Sequence, residues 1–440
     1  MGMIVLNYNY LRGIVMNKSK LVISLLTAGV MSSPLAHATN GYFPIGVGPK
    51  TESMGGAGIA LPQDSFAAAA NPAGMAMVGD RVDFALTWFK PNRSAEITGN
   101  GAGLNGSYGG NGRSNFFIPD FGYNKMISND TALGVVVYGN GGMNTQYNSN
   151  PLASIGGAGA MGINLEQLFV APTWSKKLNA TNSVGVSLNL VYQMFSATGV
   201  QPFAQPSPGN ASSNPSAVTN NGTDTSTGYG IRVGWTGEVT PMVTLGATYQ
   251  SKTKMSSFSS YSGFFGDQGN FDIPANYGVG LAVKATPATT FAFDIEQIDY
   301  SGVASVGTPF TSLPPAFGGT GALFGSSGGP GFGWQNMTVF KLGMSYVYDS
   351  RLTLRAGLNH NNQQIPSSQT FLNILAPGVV QNHLTLGGTW TLADKSEITV
   401  AYIHAFQQTV NGSGSIPAQL GGGEANIGMH EDSIGISYGW

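Results

Sequence analysis

Apolar residues at every second position are the feature that most constrains the fold of this chain. In residues 184–192, valine, leucine and tyrosine alternate with mostly small or polar residues, and the alternation returns at 276–283, 340–346 and 352–358. A period of two is typical of β-strands with one apolar face. That face covers the core of a soluble sandwich but contacts lipid in a membrane barrel, and alternation alone does not separate the two.

The composition excludes several classes of protein. Charged residues make up only 9% of the chain, against about 25% in soluble proteins. Aromatic residues reach 10%, which argues against disorder. The net charge of -2 gives no electrostatic reason to expect a nucleic-acid partner. Because the chain contains no cysteine, it forms no disulfide and no thiolate metal site.

Short turns alternate with long loops between the predicted strands. Turns rich in Asn, Asp and Pro occur at 128–130, 179–182, 240–241, 349–350 and 393–395, and Gly- and Ser-rich loops at 92–114, 199–226, 302–333 and 411–429. Outer-membrane barrels have periplasmic turns and longer extracellular loops of this kind. Fourteen strands are predicted, near 81–91, 115–126, 131–147, 163–177, 183–198, 227–238, 242–260, 271–284, 289–301, 334–348, 351–363, 380–392, 396–410 and 430–440.

The carboxyl-terminal strand ends on an aromatic residue. Ile434, Ile436, Tyr438 and Trp440 alternate with serine and glycine. This pattern resembles the terminal signal read by the barrel-assembly machinery, which we therefore expect as a partner during biogenesis. Closing the sheet removes edge strands that lipid would not tolerate. The sequence predicts an all-β membrane protein, a 14-stranded antiparallel barrel over residues 81–440 in the outer membrane of a Gram-negative bacterium.

The amino-terminal residues predict a secretory signal. A short basic region at 16–20 precedes an apolar run at 21–35, and Ala36-His37-Ala38 offers a cleavage site. We expect residues 1–38 to be removed and the mature chain to begin near Thr39. Residues 1–15 fit no part of a standard signal, which leaves Met1 and Met16 as alternative start sites.

Residues 39–80 lack strand alternation and are rich in glycine and alanine. Asp64 is a favourable amino-terminal cap for a short helix, and Pro72 should end that helix within two turns. This segment is too apolar to be free in solvent, and the barrel that follows it is wide enough to hold it. We therefore predict that the segment forms a small helical plug in the lumen. A periplasmic tether is the alternative.

Three stretches resemble a known family: NGYFPIGVG at 40–48, MGGAGIALPQDSFAAAANPAGMA at 54–76 and YQSKTKM at 249–255. They are similar to the outer-membrane transporters of long-chain fatty acids and aromatic hydrocarbons of the FadL and TodX type. The resemblance implies a monomeric 14-stranded barrel whose hatch carries the motif Asn71, Pro72 and Ala73 and shifts when ligand binds. It also implies passive transport without TonB-type coupling, and sideways exit of the ligand at a kink in the third strand.

The third predicted strand contains a plausible cause for such a kink. Val135 to Tyr138 is followed by Gly139, Asn140, Gly141 and Gly142. Clustered glycines weaken strand pairing and favour a bend or bulge. The alternative is that these residues begin an extracellular loop.

Aromatic residues are frequent in the predicted loops near 256–271 and 302–333. Exposed apolar surface of this kind could capture an acyl chain or an aromatic ring. The resemblance puts the outer binding site between the third and fourth extracellular loops, here 199–226 and 261–270, which makes Phe203, Phe264 and Phe265 the candidate ligand contacts. Packing within the loops, or a place in the aromatic girdle of the membrane interface, is the alternative for each.

Two cations point into the predicted lumen, Lys341 and Arg355, and are candidates for binding a ligand carboxylate. Asp294 and Glu296 point inward as well, and we expect one of them to pair with Lys341, since an unpaired buried charge is costly. The sequence therefore favours long-chain fatty acids only modestly over monoaromatic hydrocarbons or alkanes.

Other functions fit the sequence less well. Its five histidines are scattered and form no catalytic or metal-binding pattern, so neither an enzyme nor a cofactor is expected. The glycine-rich stretches lack the lysine of a phosphate-binding loop. A structural or adhesive barrel or a general porin is the more distant alternative, although porins have charged constrictions and no such plug. Outer-membrane lipid, including lipopolysaccharide, is the expected surrounding partner.

Overall fold

The computed structural model describes residues 40–204, 210–310, 314–319 and 321–440. The predicted signal peptide, the mature start at Thr39 and both alternative start residues lie outside these ranges. Within the ranges, no helix is long and apolar enough to cross a membrane.

Fourteen antiparallel strands form one closed sheet. They are β1 (Arg81–Thr98), β2 (Phe116–Met126), β3 (Thr131–Asn144), β4 (Gly162–Lys177), β5 (Asn182–Thr198), β6 (Asp224–Thr240), β7 (Val243–Gln250), β8 (Asn276–Lys284), β9 (Thr289–Ile298), β10 (Met337–Val347), β11 (Leu352–Asn361), β12 (Asn382–Thr391), β13 (Glu397–Val410) and β14 (Glu424–Gly439). Each strand pairs with its sequence neighbours, and β1 pairs with β14. The predicted 14-stranded barrel is confirmed.

The largest boundary differences affect β1, β7, β8 and β14. β1 and β14 pair as far as Thr98 opposite Glu424, so the first loop is shorter than predicted and the last strand begins earlier. The polar residues at the extracellular ends of β1 and β14 had been predicted to belong to loops. β7 ends at Gln250, and β8 begins at Asn276. The chain beyond β7 leaves the main ladder, and only a two-residue strand, Lys254–Met255, pairs again with β6.

The exposed and buried faces of the strands are inverted relative to a soluble protein. On β5, Leu190 is 44% exposed whereas the neighbouring Asn189 is 1% exposed. The outward faces of the other strands are similarly apolar, and many of the inward positions are polar or glycine. An apolar outer surface around a polar interior suits lipid outside and a lumen inside. This inversion distinguishes a membrane barrel from a sandwich, which alternation alone could not do.

Residues 40–80, here called the hatch, fill the lumen with short helices. These are α1 (Pro49–Glu52), α2 (Met75–Val78) and the 3-10 turns Ala67–Ala69 and Pro72–Gly74. Asp64 accepts a hydrogen bond from the amide of Phe66 at 3.0 Å, as a cap should, but the helix that follows is a single 3-10 turn. Pro72 begins the next turn rather than interrupting a longer helix.

Inward-facing glycines of the wall make room for the hatch. A Cβ atom on Gly234 would overlap Oδ1 of Asn71, and one on Gly357 would overlap the backbone of Gly55. The same overlap with hatch backbone or side chains would occur at Gly122, Gly185 and Gly246. The hatch therefore lies directly against the wall, backbone on backbone.

The helical elements in the described parts of the extracellular loops are short. These are α3 (Gly266–Gly269), α4 (Ala304–Gly307) and the 3-10 turns Ala153–Ile155, Gln201–Phe203, Pro215–Ala217, Ser259–Tyr261, Tyr300–Gly302, Pro315–Phe317, Ser367–Gln369, Leu372–Ile374 and Ala418–Leu420. The four-residue strand Gly106–Gly109 pairs with β1.

Candidate functional site

The hatch motif is held to the wall by Asn71. Its Nδ2 donates to the backbone oxygen of Trp235 at 2.9 Å, and its Oδ1 accepts from the amide of Ala73 at 3.1 Å. The carbonyl oxygen of Ala73 accepts from the hydroxyls of Ser175 at 2.9 Å and Ser183 at 3.0 Å. The motif thus connects the hatch to three adjacent strands, β4, β5 and β6.

The predicted kink residues coincide with a break in the wall. The register of β3 against β4 shifts between Gly139 and Gly141. β3 pairs with β2 only over residues 132–137, and residues 138–144 pair with β4 alone among the described residues. Residues 116–120 of β2 likewise pair only with β1. We call this break between residues 116–120 and 138–144 the lateral gap.

The tip of the hatch touches both the lateral gap and the loops. The amide of Gly142 donates to the backbone oxygen of Tyr42 at 3.3 Å. The hydroxyl of Tyr300 accepts from the amide of Tyr42 at 3.2 Å and donates to the backbone oxygen of Asn40 at 2.5 Å. The ring of Tyr42 packs against the ring of Trp334, with centroids 5.8 Å apart.

A polar cavity of about 50 Å³ lies between the hatch and the wall. Lys341 and Arg232 supply two cations to its lining, and Asn140 of the kink also faces it. Lys341 Nζ lies 2.7 Å from a carboxylate oxygen of Glu296, so the expected pairing of Lys341 is with Glu296. The buried side-chain amide of Asn276, also in the lining, has no hydrogen-bond partner among the described residues.

The other candidate cation serves the hatch. Arg355 Nε donates to Oε1 of Gln63 at 2.9 Å, and a terminal nitrogen donates to the hydroxyl of Thr389 at 2.6 Å. Asp294 also binds the hatch, because its carboxylate accepts from the amides of Gly58 at 2.8 Å and Ile59 at 3.0 Å. Arg355 is therefore not brought into the cavity with Lys341.

The candidate phenylalanines meet in one buried aromatic cluster. Phe264 contacts Phe265 at a centroid distance of 5.1 Å and stacks on Phe324 at 6.2 Å. Phe324 in turn lies 5.5 Å from Phe203. Phe265 contacts Phe271 at 4.8 Å, and Phe271 contacts the ring of Tyr42 in the hatch. The three candidates are 2% or 3% exposed, so in this structure they are packed between loops rather than exposed on them.

Charged residues fasten the periplasmic side of the hatch. Lys50 Nζ lies 2.7 Å from Glu397, and Arg81 lies 2.5 Å from the same carboxylate. Asp83 accepts from both the amide and the hydroxyl of Ser65, at 3.0 and 2.6 Å. These contacts connect the hatch to β1 and β13.

Glu52 of α1 has no such partner. Both of its carboxyl oxygens are buried without a hydrogen bond among the described residues. Burial, reinforced by the nearby carboxyls of Asp120 and Asp64, raises the pKa of Glu52 to about 8. Burial also raises the pKa of Asp64 to about 6, with the charge of Asp83 contributing. Glu52 is therefore neutral in the docked hatch at pH 7.

Several of these residues were not singled out from the sequence. Arg232 has the inward parity of its predicted strand, a signal that could have identified it. Asn276 lies at the start of its strand and Tyr42 lies in the hatch, so neither had a pattern that predicted its contacts. Within the described ranges, no group of three or more His, Asp or Glu side chains could hold a metal ion.

A closed barrel with an apolar outer wall and a plugged lumen defines the class of protein as an outer-membrane channel. The sequence model of the family described as outer membrane protein transport protein (OMPP1/FadL/TodX) matches residues 48–426. The chain belongs to this family, as the motifs predicted. It is thus a Gram-negative outer-membrane transporter of hydrophobic compounds and not an enzyme.

Solved structures have the same fold. The toluene transporter TodX of P. putida is 19% identical with a TM-score of 0.65, and the match covers 90% of this chain and 98% of that one. The toluene transporter TbuX of Ralstonia pickettii is 18% identical, with a TM-score of 0.60 and coverage of 90% and 98%. A FadL homologue of Pseudomonas aeruginosa is 14% identical, with a TM-score of 0.63 and coverage of 92% and 99%. No curated protein matches the sequence significantly.

Proposed function

We propose that the protein carries long-chain fatty acids passively across the outer membrane. The observation that supports this substrate is the polar cavity next to the hatch. Its lining includes Arg232, the unpartnered amide of Asn276 and the Lys341–Glu296 pair, so a carboxylate would find two cations and an amide there and would compete with Glu296 for Lys341. The aromatic cluster of the loops, which reaches the hatch through Tyr42, suits the acyl chain.

The route has three steps. The loops capture the ligand at the cluster containing Phe203, Phe264 and Phe265. The hatch then shifts and releases contacts such as those of Asn71, which opens the cavity. The ligand leaves sideways through the lateral gap, where Gly139 to Gly142 have no ladder partner on β2 among the described residues. A sideways exit lets an apolar chain pass into lipid without crossing water.

A second candidate substrate is a neutral monoaromatic hydrocarbon or alkane. Lys341 already pairs with Glu296, and Arg355 already binds Gln63 and Thr389, so neither cation requires a ligand. Two of the proteins with the same fold are toluene transporters. Such a ligand would use the aromatic cluster and bypass the polar cavity.

We also propose that the protein acts as a monomer in contact with lipopolysaccharide. Pairing of β1 with β14 leaves no barrel edge to which a second subunit could add a strand. On β14 the outward side chains Ile434, Ile436 and Tyr438 are apolar and exposed, in keeping with recognition of this strand by the barrel-assembly machinery.

Uptake of radiolabelled oleate and toluene distinguishes the two substrates. Cells lacking their own transporter would express the native chain or a Lys341→Met/Glu296→Met variant, in which both partners are removed so that no buried charge is left unpaired. Fatty-acid transport predicts that oleate uptake falls several-fold while toluene uptake is unchanged. Uptake of toluene but not of oleate by the native chain would select the hydrocarbon. If the native chain takes up neither compound, transport of both classes is contradicted.

A further inference from the structure

One side chain spans the lateral gap from inside the barrel. Arg93 of β1 points into the lumen and is 2% exposed. One terminal nitrogen donates to the backbone oxygen of Asn144, at the end of β3, at 2.6 Å. The other donates to the backbone oxygen of Arg113, in the loop before β2. Arg93 therefore connects β1 to both sides of the break, where no ladder hydrogen bonds join β2 to β3 among residues 138–144.

A second partner for Arg93 lies on the next strand. Glu431 of β14 faces the lumen and is 1% exposed, and both carboxylate oxygens are buried without a hydrogen bond among the described residues. In the β1–β14 ladder, Arg93 is opposite Met429 and Glu431 is opposite Pro91. The two side chains are thus diagonal neighbours on one face, a separation that an arginine can span. The two side chains form no ion pair in this structure.

A small cavity lies between Arg93 and the hatch. It has a volume of about 20 Å³, too small for a guanidinium, and is lined by Arg93, Asn144, Met429, Gly142 and the hatch residue Gly41. Because Gly41 forms part of its wall, a displacement of the hatch would enlarge the space next to Arg93.

We propose that Arg93 is a two-position latch for the lateral gap. In the closed position its guanidinium binds the carbonyl oxygens of Asn144 and Arg113, and it reinforces the backbone hydrogen bonds of Gln146 with Gly110 and Gly112, which join the chain after β3 to the loop before β2. In the open position it pairs with Glu431, which compensates for the lost hydrogen bonds and neutralises an otherwise unpaired buried acid. Arg93 and Glu431 are positioning residues that bind no substrate. The inference rests on the proposed exit through the lateral gap.

A cysteine pair placed across the gap measures its opening. The native chain has no cysteine, and a Cβ atom on Gly139 would lie 3.0 Å from Cγ2 of Ile118, so an Ile118→Cys/Gly139→Cys pair should form a disulfide when the gap is closed. With the pair kept reduced in outer-membrane vesicles, alkylation of its thiols by a bulky maleimide should require the open gap. Glu431→Gln removes only the open partner of Arg93 and should slow this alkylation. Adding Arg93→Met to Glu431→Gln removes only the closed contacts, because the open pair is already absent, and should speed alkylation again. A charged hydrogen bond shifts such an equilibrium by about tenfold or more, which sets the expected size of each change.

The opposite signs of the two steps separate a latch from a merely structural role. If Glu431→Gln does not slow alkylation, or if adding Arg93→Met to it does not speed alkylation, the latch is wrong. Migration as a folded barrel in unheated gels checks assembly of each variant. If the variant with Arg93→Met does not assemble, Arg93→Lys takes its place; the lysine amine holds two carbonyl oxygens less well, and alkylation should rise by a smaller factor.

Oleate uptake by the crosslinked pair tests the underlying exit separately. If oxidation of the pair leaves uptake unchanged, substrate does not leave through the gap and the proposed route fails. The effects of Glu431→Gln, and of Arg93→Met added to it, on thiol alkylation would still report whether the latch exists.

Discussion

Ionisation of Glu52 should drive the hatch away from the wall. Its pKa is about 8 in the docked hatch, against an ordinary value of 4.5 in water. Below pH 4.5 the carboxyl of Glu52 is protonated whether the hatch is docked or displaced, so this group adds no pH dependence to docking. Between pH 4.5 and about 8 only the displaced hatch gives up the proton, and each pH unit weakens docking about tenfold, or 1.4 kcal/mol. Above pH 8 both states are ionised and the effect levels off at roughly 5 kcal/mol.

Cysteine labelling can measure this dependence. An Ala69→Cys reporter in the hatch, which lines the polar cavity, would react with a bulky maleimide when the hatch moves. The matched control carries the same reporter and Glu52→Gln, a neutral side chain of the same shape. Because the thiol chemistry is common to both proteins, it cancels in the ratio of their labelling rates. That ratio should rise about fiftyfold from pH 6 to pH 8, where the docked carboxyl is half ionised, and then flatten. A ratio that is constant across this range would refute the burial of an uncompensated carboxyl at Glu52.

Two further predictions concern packing. Gly234→Ala should displace Asn71 and loosen the hatch. The control Gly388→Ala should not, because a Cβ atom there has no neighbour closer than 3.5 Å. Limited proteolysis of the hatch in vesicles compares the two variants, and equal protection would contradict the close packing of hatch and wall. Phe324→Ala removes the ring between Phe264 and Phe203 and should destabilise the packing of the loops by about 3 to 5 kcal/mol. If the cluster is the capture site, affinity for a fluorescent fatty acid bound to the purified protein should fall as well, and unchanged affinity would remove the cluster from the outer site.

The barrel was predictable because lipid imposes a strict rule on each strand. Every outward position must be apolar over the membrane thickness, so the two-residue period survives in the sequence. The rule no longer holds beyond the membrane. The upper part of β1, where Asn92, Ser94 and Glu96 face outward, therefore resembled a loop although its ladder with β14 continues. The chain after Gln250 was misassigned for the opposite reason, since its aromatic residues pack among loops and not against lipid.

The contacts of the site depend on pairs of residues far apart in sequence. Inward parity identified Lys341 and Arg355 as lumenal cations, but their different partners, Glu296 and Gln63, follow from the path of the hatch. That path is not encoded by any period, because the hatch has neither the repeat of a strand nor a helix longer than four residues.

The position of the hatch is encoded in the wall as much as in the hatch itself. Glycine is unfavourable inside strands, where it adds conformational entropy to the unfolded chain and contributes no packing. At Gly185, Gly234 and Gly357 any side chain would overlap the hatch, so the cost of each glycine is balanced by close contact between backbones. Inward-facing glycines that cluster on adjacent strands therefore argue for an internal plug, whereas a periplasmic tether would have no use for them. This signal was available in the sequence, once the parity of each strand was fixed.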